Sequence, residues 1–558
     1  MKGWLKRRNL VWLSAVSVFF GLCNTSGNWM YHTDRLPASA EDALSFALQC
    51  LGGAVLFFCA ASALLWFLPR IRKPGEPGPR KGKSVFWPAF GVILLGWLPW
   101  IVSYYPCSAD YDVYVPIQMY LNLRPRSGSF PWFYSTLVGS LYSFGVSLGD
   151  RNIGLFLHIL LRAPAMAAIY AHLAEKLRKQ NVRGGVVWAV ILFYAFVPVW
   201  GAYAKHGFKD TVSAALFCWY VTETVELVRC IREGRYAFKP FVLYAVSLLL
   251  VGLFRGNGIY IAAPVTLFVV IAVLRQKKYR EKLRWLRLTA LCLSAFMVYG
   301  AYGLYARYVD QVAPGSMASA LTIPLQQTAR TVRDESETIT QKEQKAIARA
   351  LDYDRLGELY NPILSDPVKD TLVGRRAGKY LGTWLSMYPK HLRAYTEAAI
   401  AQSYGYYAFT PDQPEHAGNW NCGMTIFDWV VDPRYDPEFT GYYMEATEPV
   451  RVFLDNWAKT WHSLPVIGVL DDLPLYTWFI VLVGLHLILR KRPKSALIPV
   501  LACLLTVLFC CASPVNDCFR YFCPVAAAAP ACLLLCAEPD EGKEDKATSP
   551  EAPAEEPS

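Results

Sequence analysis

The segment YYPCSADYDVYVPIQ, residues 104–118, follows directly on the apolar run VFWPAFGVILLGWLPWIVSYYP and carries Asp110 and Asp112. Two residues apart, these carboxylates share a face of an extended segment but point apart on a helix. A carboxylate that stays ionised beside cations can accept a proton from an attacking hydroxyl. Three other short polar turns between apolar runs supply cations. AYAKHGFKD holds Lys205, His206, Lys209 and Asp210, FRGNG holds Arg255 and Asn257, and SPVNDCFRY holds Asn516, Asp517 and Arg520. Charges at membrane depth are costly and tend to mark functional paths, and this mixture suits a base working beside a bound phosphate. Each residue also has a plainer reading. An acidic residue after a span is commonly just solvated, Lys209 and Asp210 can be an exposed ion pair capping the next span, and Arg520 can snorkel to the interface. Solvation explains Arg255 less well, because it sits in apolar sequence beside Gly256 and Gly258. Arg162, inside LLRAPA, reads as pairing with a neighbouring helix.

The elements that must carry these residues are membrane helices. Of 558 residues, 54% are hydrophobic, 14% aromatic and only 18% charged, where a soluble domain would carry about a quarter charged. Apolar runs fall at about 10–23, 43–68, 86–105, 153–173, 185–204, 210–229, 240–254, 258–274, 287–306, 474–489, 495–512 and 521–537, many long enough to cross roughly 30 Å of hydrocarbon. The net charge of +12 collects in short basic loops such as KGWLKRR, RIRKPGEPGPRKGK, EKLRKQNVRGG and RQKKYREKLRWLR. That distribution is typical of cytoplasmic loops and not of a nucleic-acid-binding stripe. If PWFYSTLVGSLYSFGVSLG, residues 131–149, also crossed, the later basic loops would fall outside. If it lies on the outer surface, all fall inside. We therefore expect an all-α polytopic protein with about twelve spans and both termini cytoplasmic. The first run resembles a signal peptide but lacks a small-x-small cleavage pattern, so it reads as an uncleaved span. In 131–149, Trp132, Phe133, Tyr134, Leu137, Leu141 and Phe144 recur at near-helical spacing. They suit either an amphipathic helix in the interface or a helix packed on the bundle.

This divides the chain into a transmembrane region at 1–306, an extracytoplasmic region at 307–473, a second transmembrane region at 474–537 and an acidic, disordered cytoplasmic tail at 538–558. Within 307–473, TITQKEQKAIARALD predicts a helix capped by Thr340, with Glu343 reaching back to the cap. Most of the 15 cysteines lie inside apolar runs as small hydrophobes, and no Cys/His spacing suggests a metal site. Cys107, Cys422 and Cys518 fall on the expected outer side, where a disulfide is an option.

An Asp just beyond a span, then a surface helix, then the next span resembles the GT-C superfamily of membrane glycosyltransferases, such as protein O-mannosyltransferases and aminoarabinose transferases. The order YYPCSADYD, GFKD, FRGNG, IPLQQTAR, NPILSDPVKD, YPKHLRAYTEAA and SPVNDCFRYFCPV more closely resembles an uncharacterised family of bacterial polytopic proteins, over most of residues 86–530. The GT-C resemblance implies a catalytic carboxylate at Asp112 or Asp110, with Asp112 preferred for its spacing from Pro106. It also implies that Lys209, Arg255 or Arg520 holds a lipid phosphate. Many GT-C enzymes open the surface helix with His-Pro, whereas SFPWFYS here has Phe130 before Pro131. The expected activity is transfer of a sugar from a polyprenyl-phosphate donor to an envelope glycan, lipid or protein at the outer face of a bacterial plasma membrane. Lys205, Lys209, Asp210, Arg255, Asn257, Asp517 and Arg520 would bind substrate, and membrane lipids are further partners, with no role for nucleic acid. No cofactor is required, although Asp110, Asp112 or Asp210 could hold a divalent cation. The alternatives are a transporter or flippase, whose charged residues would gather near the bilayer midplane in matching halves, and a non-catalytic protein binding envelope polymer through 307–473.

Overall fold

The computed structural model describes residues 7–73, 82–109, 111–275, 279–373, 377–411 and 445–538. Among them every regular element is a helix, joined by isolated bridges and no sheet. In chain order the first membrane group is α1 (Arg7–Thr33), α2 (Ala40–Phe67), α3 (Phe86–Ser103), α4 (Tyr111–Tyr120), α5 (Trp132–Ser147) and α6 (Arg151–Lys179). It continues with α7 (Gly184–Phe196), α8 (Pro198–Lys205), α9 (Lys209–Glu233), α10 (Phe238–Phe254), α11 (Gly258–Leu274) and α12 (Tyr279–Tyr308). A smaller helical body follows, made of α13 (Thr322–Glu335), α14 (Gln341–Ala348), α15 (Leu356–Leu359), α16 (Asp366–Lys369), α17 (Ala377–Met387) and α18 (Leu392–Ala401). The chain ends with α19 (Glu448–His462), α20 (Leu473–Leu489), α21 (Ile498–Cys511), α22 (Phe519–Ala528) and α23 (Leu533–Cys536).

Every apolar run of the sequence lands on a helix, but the runs are not equivalent. Among the described residues seven helices are long and apolar enough to cross a membrane, and α7 with α8, bent by 48°, makes an eighth if the pair is one span. The protein is therefore multi-pass. Three more helices, α10, α11 and α20, are apolar but only 17 residues long. The 25-residue α9 contains Glu223, Glu226, Arg229 and Arg232. It is buried on nearly all sides, among α6, α10 and α22. Its charges are met inside the bundle: Glu223 Oε1 lies 2.7 Å from His172 Nε2, and Glu226 lies 3.6 Å from Lys176. A central helix need not be apolar when neighbours supply its counter-charges.

Contacts define two ends of the bundle. At one end Arg72 bridges Val182, the Val85 amide donates to Glu175 Oε2 at 2.9 Å, and Arg232 pairs with Glu538 at 2.7 Å. At the other, the body α13–α18 closes its own core around Leu325, Ile347, Leu356 and Tyr395. It docks through Arg330, which is fully buried and meets Asp34 and Glu397 at 2.9 Å each. It also docks on the α21–α22 turn, where the Ser365 amide donates to the Pro514 carbonyl and the Gln402 side chain to that of Ser513. Thr340 caps α14 in the expected capping box with Glu343.

Helix α5 is packed rather than free. Trp132 and Tyr134 are buried, Phe133 meets Phe254 and Tyr302, and Phe144 stays exposed. Gly145 and Gly154 let the backbones of α5 and α6 touch, since a Cβ on Gly145 would fall 2.3 Å from the Gly154 nitrogen. Both ends of α5 are anchored. Trp132 Nε1 donates to Asp310, beyond α12, and Gly145 lies against the first turn of α6. Cys107 and Cys518 are buried, and Cys422 lies outside the described residues, as do the first six residues and 539–558.

Candidate functional site

The site begins with a backbone pairing. The Ser108 amide donates to the Lys205 carbonyl at 3.1 Å and the Gly207 amide to the Ser108 carbonyl at 2.7 Å. This stitches the loop after α3 to the turn between α8 and α9. Gly207 permits the approach, because a Cβ there would meet Val113 at 3.2 Å. The turn leaves carbonyls buried, and buried carbonyls need donors. Tyr134 Oη donates to the Gly207 carbonyl at 2.6 Å, with His158 Nε2 3.1 Å from the same oxygen. Arg162, from inside α6, donates to the carbonyls of Ala204 at 3.1 Å and Phe208 at 3.0 Å, to that of His206, and to Thr211 Oγ1 at 2.6 Å. As its mid-span position suggested, Arg162 pairs with a neighbouring element and fixes where α9 starts.

With that start fixed, five charged residues from four segments meet. Asp112 lies in the first turn of α4, and Lys209 and Asp210 open α9. Arg520 is the second residue of α22, and Arg255 ends α10. Asp112 Oδ2 is 3.2 Å from Lys209 Nζ and 3.0 Å from Arg520 Nη1. Asp210 is 3.7 Å from Lys209, 3.8 Å from Arg520 and 3.6 Å from Arg255. Among the described residues three cations thus surround two carboxylates, one positive charge in excess. Helix N-termini add to it: the N-cap residues of α9, α11 and α22 (Phe208, Asn257 and Cys518) make no side-chain cap, so first-turn amides and their dipoles favour an anion. Asp112 and Asp210 are 8% and 2% exposed. Burial alone would raise the Asp112 carboxyl, but Arg520, Lys209 and Arg255 outweigh it and hold the group below its ordinary value of 3.8. Asp210 Oδ2, Arg255 Nη1 and Asn257 Oδ1 are buried without a hydrogen-bond partner, so the site retains polar capacity of both signs.

Residues 104–550 match DUF6020, a family of unknown function. The chain belongs to this family. No curated protein and no solved structure matches it. The DUF6020 match begins at Tyr104 and so includes all five charged residues, the stitched loop and the body α13–α18. Helices α1 to α3 lie outside it.

Within the DUF6020 segment the expected site residues separate into groups. Asp112, Lys209, Asp210, Arg255 and Arg520 come together, and Asn257 sits beside them at the start of α11. Lys205 is buried, its Nζ 3.0 Å from the centre of the Tyr104 ring. Asp517 belongs elsewhere: its backbone presses against Gly405 and its charge faces Tyr404, at the seam with α18. Asn516 serves that seam too, accepting from the Gly405 amide at 2.9 Å. Asp110 lies outside the described residues. Among the described residues no three His, Cys, Asp or Glu groups converge. Asp112 and Asp210 both face cations. The position where the resemblance expects histidine holds Phe130, whose ring centre lies 5.3 Å from Lys209 Nζ. The lysine is thereby in cation–π range of an aromatic face.

Proposed function

We propose that this protein is a membrane glycosyltransferase. It moves a sugar from a polyprenyl-phosphate donor to a cell-envelope acceptor at the outer face of a bacterial plasma membrane. In this reading about twelve helices cross, with both termini cytoplasmic and α5 remaining at the outer surface. The observation that supports it most is a buried carboxylate, Asp112, held ionised by Arg520 and Lys209 just beyond the end of an apolar helix. The basic residues Arg72, Arg178, Lys179, Arg232 and Arg492 belong to the opposite end, as cytoplasmic loops would.

The chemistry follows from charge. An acceptor hydroxyl attacks the anomeric carbon, its proton passes to Asp112, and the bond from that carbon to the phosphate oxygen breaks with the electron pair leaving on phosphate. The leaving group is already an anion, so no general acid is needed. Arg520, Lys209 and Arg255 hold it. A bound phosphate shares the cations that depress Asp112, and this raises the carboxylate's basicity when the base is wanted. The test is transfer of labelled sugar from a polyprenyl-phosphate donor by protein in liposomes. Asp112→Asn should lose roughly 10²–10⁴-fold in rate with donor binding retained, and full activity in this variant would reject the mechanism.

One observation favours a second reading. The His172–Glu223 pair lies inside α6 and α9, well away from the charged cluster, and buried ionisable pairs in spans commonly carry protons or ions. A carrier for a lipid-linked or anionic solute would move its cargo in the same liposomes without making product. Glu223→Gln would abolish that movement.

A further inference from the structure

Helix α19, EPVRVFLDNWAKTWH, does not contribute to the charged cluster, yet it is fastened beside it. It buries Leu454 and Trp461 and leaves Val450, Phe453 and Trp457 exposed, Phe453 to 66%. At helical spacing those three apolar side chains form one edge next to the buried face. Asn456 and Lys459, also exposed, lie further round the helix, Lys459 beside the exposed Val452, while Thr460 lies next to Phe453. Two bonds hold the helix to the end of α3: Thr447 Oγ1 and Arg451 Nη1 donate to the Ser103 carbonyl at 2.9 and 3.0 Å. A third joins Tyr104 Oη to Asp455 Oδ1 at 2.7 Å, and Leu454 and Ala458 pack with Trp100, Tyr104 and Ala202.

The place of attachment decides what covers the edge. Helix α3 is apolar enough to cross a membrane, and its exposed stripe Leu95, Leu98 and Val102 leads to Ser103, where α19 is tied. The α19 edge therefore continues a surface that already faces acyl chains. Beyond α19 the turn exposes Val466 and Ile467 just before apolar α20 begins. Val466 adopts φ 69° and is 86% exposed. A β-branched residue pays strain for that left-handed backbone, here without burying its side chain in protein. Tryptophan at the margin of an apolar face, with lysine on the polar one, is the composition of an interfacial helix.

We propose that α19 and the turn at 463–467 lie in the bilayer interface, with Val450, Phe453, Trp457, Val466 and Ile467 among the acyl chains of the leaflet at the site end. The proposal is independent of the reaction carried out at the charged cluster. It puts lipid within one side chain of the site wall, because Asp455 holds Tyr104 and the Tyr104 ring carries Lys205.

The test uses the full chain with photoreactive benzoylphenylalanine at position 453, 457 or 459, one at a time, in vesicles of phosphatidylethanolamine and phosphatidylglycerol. An aromatic replacement keeps the ring at 453 and 457, and 459 is exposed, so folding is preserved. After irradiation, mass spectrometry should find phospholipid adducts at 453 and 457 and their loss at 459. Adducts to peptide at 453 or 457, from a second copy or from another segment of this chain, would overturn the proposal. So would lipid adducts equal at all three positions or absent from all.

Discussion

At the scale of the residue, the arrangement around Asp112 makes a prediction with a definite sign. Its carboxyl is depressed, so it stays ionised at every pH above that lowered value and loses its charge only as pH falls through it. Activity should accordingly hold on the acid side to below the ordinary carboxylate range. Arg520→Gln removes the nearest cation, raises the carboxyl and should move the acid limb of the pH–rate profile upward. An unmoved limb would mean that Asp112 is not the group titrating. The sequence exposed this much because charged residues beside apolar runs stand out. It did not expose what fixes their positions. Arg162 acts on the backbone carbonyls of Ala204, His206 and Phe208, and a carbonyl has no sequence signature. It also placed Asp517 with the cluster, since a turn in a linear sequence does not tell which side of it a side chain will face.

At the scale of the element, the turn between α8 and α9 is the part on which the site depends. Arg162→Met would leave the buried carbonyls of Ala204 and His206 without this donor, at about 1–3 kcal/mol each, while that of Phe208 keeps Thr211. Thermal unfolding in detergent should register a large loss. Tyr134→Phe removes one donor to a carbonyl that His158 still approaches, and should cost only about 1 kcal/mol. If the two variants melted alike, Arg162 would not be the main support of the turn. The contact between α5 and α6 is similarly explicit. Gly154→Leu puts a side chain where the Leu141 carbonyl and Tyr142 backbone lie, so it should displace α5 and expose Trp132, detectable as new protease sensitivity in 121–131. Hydrophobic runs identified the helices correctly. They misjudged α9, which was read as an apolar span through 210–229, because its polarity is neutralised by α6 and neither helix shows this alone.

At the scale of the whole molecule, the two-ended bundle predicts the result of labelling. Cysteines introduced at 127 and 150 should both react with an impermeant thiol reagent from outside, since both flank α5, which remains at the outer surface in the proposed topology. Protection of 150 alone would invert every later helix. The cluster also has a consequence for how the protein is made. Asp112, Lys209, Asp210 and Arg255 all lie in the first half of the chain and balance two negative charges with two positive ones. Arg520, which tips the balance, arrives on α22 near the end. A ribosome delivering the chain in order therefore brings those four together before Arg520 exists. The cluster is completed last, and on the reading proposed above an unfinished chain, already threaded into the membrane, would hold a phosphate less well than the finished one.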